Sequence, residues 1–298
     1  MSEQGRQIFV DELTRFAAEM PDPRVTTIAE RIAAPLRVAV SGRRGVGRRT
    51  VAHALGCTGV AITQEQGAEV VVYVVAEAVK PEDAAAVAAL QRPALVVLNK
   101  TDLTGRAEVA SVSARIGAPA EPMVGLLAVA ALDNRLDDTL WAALQVLAAE
   151  PADLSAADRF LTGPHRVPRQ VRLRLCDTLD LSGITNAVDA VRRGRSIGQV
   201  RALLRRLSGI DAVACRVNAV GAPVHYRRLL DAVAQLEALA VGADSDGRIG
   251  DLLRCDDTVV ARMAAAVDVV ETAGLTVDSA DDPAAHLRRA ARWQRYSR

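Results

Sequence analysis

Residues 41–50, SGRRGVGRRT, join an aliphatic run, LRVAV (36–40), to a helix-forming run, RRTVAHAL (48–55). Glycines let such a loop curl until its N–H groups face phosphate oxygens, and the following helix N-terminus adds partial positive charge. A phosphate loop reads G-x-x-x-x-G-K-[ST]. Gly42 and Gly47 have that spacing, with Gly45 between them. Arg48 then stands where Lys belongs, and Arg49 where a metal-binding Ser or Thr belongs. Thr50 offers a hydroxyl one residue late, on another face of the helix. The candidate phosphate-binding set is therefore Gly42, Gly45, Gly47, Arg48, Arg49 and Thr50.

A second set closes the apolar run ALVVLN (94–99): Asn99, Lys100, Thr101 and Asp102. A carboxylate at position 102 can accept from both N1–H and the exocyclic amine of guanine. Adenine offers neither donor there, so a buried Asp would be left unpaired. Asn99 is expected to stitch this loop to the phosphate loop, and the stem of Lys100 to cover the ring face. Asn99, Lys100 and Asp102 are the guanine-binding candidates. Gly125, in EPMVGLLAVAA (121–131), is expected close to the base.

Bulk properties narrow the classes. The 298 residues carry a net charge of +1, so no global field draws the chain to nucleic acid or membrane. Half the residues are hydrophobic but only 3% aromatic, which predicts an aliphatic core. Four cysteines and four histidines are scattered without a C-x-x-C, which argues against a zinc site or disulfide framework and fits a reducing, cytoplasmic setting. The first residues do not form a signal peptide, and no run reaches the roughly 20 apolar residues of a membrane span.

The elements that would position these residues follow from hydrophobic periodicity. Phe9, Leu13, Phe16 and Met20 mark one helix, and Val25, Ile28 and Ile32 a second. Between 36 and 150, LRVAV, EVVVYVVA (69–76) and ALVVLN alternate with helical segments, the pattern of a doubly wound parallel sheet. Beyond 151, helical faces dominate: Ile197, Val200, Leu204 and Leu207; then Leu229, Val233, Leu236 and Ala240; then Val259, Met263, Val267 and Val270. The expected organisation is α/β. Helices of residues 1–35 would join a helical bundle of 151–298, and a truncated P-loop-type sheet would occupy 36–150.

Over 36–150 the motifs resemble the translation-factor-related GTPase superfamily. The N-terminal helices and helical second half, notably residues 203–240, resemble its bacterial dynamin-like branch. The resemblance implies GTP or GDP as ligand, and a membrane-peripheral role through partners. It also implies a switch Thr and a D-x-x-G that this chain lacks. Residues 51–68 contain no Asp, and offer only Thr58 and Thr63 as switch threonines. The loop Lys, the Mg²⁺ ligand and the switch glycine are lost together, which makes Mg²⁺ binding doubtful and predicts a regulatory or structural pseudo-GTPase with no catalytic residues, its guanine-nucleotide binding weak or lost, so that it keeps a nucleotide-shaped site or only the scaffold.

Such a protein would act through protein partners: a complete GTPase of the same superfamily, or a second copy of itself. Arg43 and Arg44, beside Arg48 and Arg49, are the candidate partner-binding residues. Two other readings are a slow GTPase completed by a partner in trans, and an RNA- or ribosome-associated binder using arginine clusters at 191–196, 203–207, 226–230 and 287–298. Without aromatic interleaving, those clusters fit solvated helix faces better than a nucleic-acid surface.

Overall fold

The computed structural model describes residues 3–20, 22–104, 108–243 and 247–272. The arginine-rich segment 287–298 lies outside the described residues. Along the chain run α1 (Glu3–Glu19), α2 (Pro23–Ala33), β1 (Arg37–Gly42), α3 (Arg48–Gly56), β2 (Ala61–Ile62) and β3 (Val70–Ala76). Then come α4 (Pro81–Ala88), β4 (Ala94–Asn99), α5 (Thr101–Thr104), α6 (Glu108–Ile116), β5 (Ala120–Met123), α7 (Gly125–Leu132) and α8 (Asp138–Ala149). The remainder is helical: α9 (Ala157–Thr162), α10 (Arg169–Arg192), α11 (Ile197–Ser208), α12 (Ile210–Val220), α13 (Ala222–Ala243), α14 (Arg248–Arg254) and α15 (Asp256–Thr272).

Two compact units emerge, residues 36–218 and residues 1–35 with 219–298. The expected boundary at 150/151 therefore moves to 218/219. The reason is packing. Val124, Leu127, Leu140, Leu144, Leu147, Leu175, Leu179, Ile184, Val200 and Leu204 form one buried cluster, so α10 and α11 share a core with α7 and α8. Most of the cluster's buried residues are aliphatic, and burying each Leu is worth about 1.5–3 kcal/mol.

The larger unit holds a five-stranded, all-parallel sheet in the order β2-β1-β3-β4-β5. The central strands β3 and β4 are buried on both faces, as their unbroken aliphatic runs require. β2 and β5 are edge strands. The β5 edge is short and contains Pro122, and the turn between α11 and α12 lies against it: the Val124 N–H donates to the Ser208 carbonyl (2.9 Å), and Arg216 pairs with Glu121 (3.0 Å).

The position of β2 matters most for the site. It pairs only with Arg37 and Val38, the first residues of β1, and the chain then returns through a single 3₁₀ turn (Glu65–Gly67) into β3. At about 3.3 Å per residue, Val38 lies about 13 Å below the phosphate-loop end of β1 at Gly42. The outer edge of β1 nearest that loop has no strand beside it among the described residues.

The smaller unit packs α1 and α2 with α13, α14 and α15 around Phe9, Leu13, Ile28, Ile32, Leu229, Leu236 and Ile249. Asp22 caps α2 by accepting from the Arg24 N–H (2.8 Å), with Pro23 at the first helical position. The face of α15 differs from expectation. Its buried residues are Thr258, Ala261 and Ala265, whereas Val259, Met263, Val267 and Val270 are half-buried. Small side chains let α15 approach its neighbours closely, so the larger ones flank the contact. Among the described residues no helix is long and apolar enough to cross a membrane.

Candidate functional site

β1 ends in Gly42, whose neighbour is the β3 backbone. A Cβ at Gly42 would collide with the Val74 carbonyl, and its φ of +136° also favours glycine. The loop then turns through Gly45, φ +87°, and Gly47, φ +90°, into α3. Arg48 and Arg49 open α3 and are exposed, as is Arg44; Thr50 is half-buried.

Arg43 departs from expectation. A partner-binding role needs it exposed, yet it is half-buried and committed within the chain. Its Nε donates to Asp83 Oδ1 at 2.8 Å. Asp83 is fully buried and also accepts from the Tyr73 hydroxyl (3.1 Å) and the Lys80 N–H (2.9 Å). This cluster ties the first turn of the glycine-rich loop to β3 and α4. Burial alone would raise the Asp83 carboxyl; the bonds from Arg43, the Lys80 amide and Tyr73 outweigh it and hold the carboxyl below its ordinary value. Burial, then the bond to Asp83, pushes the Tyr73 hydroxyl up to about 12. Arg43 is therefore corrected from a partner contact to an internal anchor, leaving Arg44, Arg48 and Arg49 as the exposed arginines of this face.

Asn99 joins the other loops. Its Nδ2 donates to the Val46 carbonyl (2.9 Å), inside the glycine-rich loop, and its Oδ1 accepts from the Gly125 N–H (2.9 Å), at the start of α7. Asn99 is buried, so both ends of its amide are used where water cannot substitute. A Cβ on Gly47 would strike this side chain. Thr101 adds a bond to the Met123 carbonyl (3.3 Å). One amide thus locks together the β1–α3, β4–α5 and β5–α7 loops, at the carboxyl ends of the strands where open parallel sheets place their ligands.

Lys100 follows in the left-handed region, φ +62°. Asp102 is half-buried. Burial raises its carboxyl above the ordinary value, its own backbone N–H opposes that, and the nearby Asp180 charge raises it further. That N–H is the one donor to Asp102 among the described residues.

Asp180 was not legible beforehand. It interrupts α10 with φ +56° and ψ 173°, a conformation nearly confined to glycine and costing about 1–3 kcal/mol. Its own side chain accepts from the Leu181 N–H (2.7 Å) and restarts the helix. Three residues on, Gly183 lies against Leu127 of α7, where any Cβ would collide. Thr58 and Thr63, the switch candidates, lie elsewhere. Thr58 caps the far end of α3 by donating to the Leu55 carbonyl (2.7 Å), and the Thr63 N–H donates to Val38 at the lower end of β1 (2.9 Å).

Compared with known proteins, the chain matches no family model, no curated protein and no solved structure.

Asn99→Ala removes both bonds and strands a buried carbonyl and a buried N–H. It should destabilise the chain by about 2–5 kcal/mol in urea unfolding. A loss under about 1 kcal/mol would mean that the three loops hold without it. Asp83 makes a pH prediction. Its folded value is depressed, so its contribution is present above the unfolded value of about 4 and is lost as pH falls through the folded value. The stability gap between the wild type and Asp83→Asn should therefore be widest near neutrality and close as unfolding is measured down to acid pH.

Proposed function

We propose that this chain is a GTPase-like protein that binds guanine nucleotide without hydrolysing it, and that acts through protein partners. The observation that carries the reading is Asn99, which fastens the glycine loop and the Gly125 loop to the strand that delivers Lys100 and Asp102. Guanine N1–H and its amine are donors that the half-buried Asp102 carboxylate can accept from. The turned backbone of the glycine loop and the start of α3 supply N–H groups for phosphates.

Hydrolysis needs parts on the other side of the phosphates. A metal ligand, a γ-phosphate sensor and a residue that orients water serve that end. Here Arg49 brings a cation to the metal-ligand position and would repel Mg²⁺. β2 stays at the lower end of β1, and its link to β3 is one short turn, so among the described residues the stretch between α3 and β3 supplies no segment that reaches the γ-phosphate position from that side. A switch that orders on γ-phosphate has no counterpart in such a fold.

What remains is a surface. Arg44, Arg48 and Arg49 are exposed around the phosphate loop, and among the described residues none is paired with a carboxylate. Guanidinium groups there can fork onto carboxylates or phosphates of a partner, for which a GTPase with a complete phosphate loop is the proposed class.

Base choice tests the reading. Titration with labelled nucleotides should show guanine favoured over adenine by at least about tenfold, because an unpaired buried polar group costs about 1–3 kcal/mol. Asp102→Ala should erase the preference while leaving the fold intact. Equal affinity for GTP and ATP, or binding of neither, would remove the guanine reading.

A further inference from the structure

At the end of α3 away from the phosphate loop, three side chains converge. His53 and Cys57 stand four residues apart, so one face of α3 and its C-terminal cap carries both. Asp133 caps the C-terminus of α7. The His53 Nε2 and Asp133 Oδ2 are 2.9 Å apart, and one ligand atom from each of His53, Cys57 and Asp133 lies within 4.8 Å of the other two. His53 and Cys57 are exposed and Asp133 is half-buried, so an ion can reach them from solvent.

We propose that His53, Cys57 and Asp133 form a binding site for a divalent transition-metal cation of the zinc class. The donor set is one thiolate, one imidazole and one carboxylate, the mixture that zinc accepts at about 2.0–2.3 Å in tetrahedral geometry. Ligand atoms already this close need only small side-chain rotations to surround one ion. Calcium and magnesium take oxygen ligands and would leave the thiol and imidazole unused. The fourth position faces solvent and takes water. Binding replaces the proton on the Cys57 sulfur and any proton on His53 Nε2 with the metal, so protons are released to solvent.

A nucleophilic relay through the same residues would have a different shape. In such a relay the imidazole stands between thiol and carboxylate and uses its two nitrogens. Here thiol and carboxylate themselves lie within 4.8 Å of each other, with no ring held between them. Arg135 Nε also donates to Asp133 Oδ2 (2.8 Å) and orients the carboxylate from outside, as outer partners do for ligating groups. The ion would bridge α3 to α7, the two helices whose opposite ends carry the glycine loop and Gly125.

Cobalt is the direct probe, because a thiolate bound to Co²⁺ gives a near-ultraviolet charge-transfer band and four-coordinate Co²⁺ gives intense visible bands. The full-length metal-free chain should develop both with one equivalent of Co²⁺, and Zn²⁺ should abolish them. Cys57→Ser should remove the charge-transfer band. His53→Ala and Asp133→Asn should each weaken binding by at least about tenfold. Cys215→Ser, an exposed cysteine outside the cluster, should leave the spectrum unchanged. A folded wild type without the bands, a band that survives in Cys57→Ser, or a band lost in Cys215→Ser would each overturn the site.

Discussion

At the carboxyl end of this sheet, three loops are joined through one buried amide. Asn99 has a donor end and an acceptor end, and the fold spends both on loops that would otherwise be independent. Gly47 is glycine because the amide passes where its Cβ would be. Gly125 sits where its N–H meets the other end. Asp102 and Lys100 inherit their placement from the same strand end. The Arg43–Asp83–Tyr73 cluster then fixes the first turn of the glycine loop from the opposite side. The cradle is therefore held from two directions before any ligand arrives.

The contrast with the other half of the site is physical. Recognition of a base and cradling of phosphates require loops that are fixed. Hydrolysis and switching require additional segments, and here the chain between α3 and β3 is too short to supply them. A two-residue β2 low on the sheet edge and a single 3₁₀ turn are all that this link places beside β1. Arg48 and Arg49 agree with that arrangement: cations can offset phosphate charge without Mg²⁺, but they cannot hold the metal that turnover requires. The proposed role as a non-hydrolysing partner protein rests on two observations: a glycine loop fastened by Asn99, and a short link between α3 and β3.

The sequence revealed features with local causes. Unbroken aliphatic runs marked β1, β3 and β4, because strands buried on both faces need nothing else. Glycine spacing and the Asn99-Lys100-Thr101-Asp102 run marked the two loops, and Asn99 was expected to join them. Features with distant causes were hidden. β5 carries Glu121 and Pro122, so it lacks the look of a strand, and β2 is too short for any period. Arg43 looked like a free surface cation because Asp83 is 40 positions away. Asp180 breaks a helix whose sequence carries no proline or glycine at that point. His53 and Cys57 show helical spacing, but Asp133 joins them only through the packing of α7 on α3. The unit boundary was misplaced for the same reason: α10 and α11 look like any other amphipathic helices, and only the shared core with α7 and α8 assigns them to the sheet.

The central claim is a guanine-nucleotide cradle that does not sense the γ-phosphate. The most direct measurement is the ratio of GDP to GTP affinities, taken by calorimetry with and without Mg²⁺. If the chain has no switch segment and no ligand for Mg²⁺, as proposed, the two nucleotides should bind within about threefold of each other, since no contact worth more than about 0.7 kcal/mol would separate them, and Mg²⁺ should change neither value by more than that. A strong preference for GTP that appears only with Mg²⁺ would show that γ-phosphate and metal are held after all, and would contradict the account.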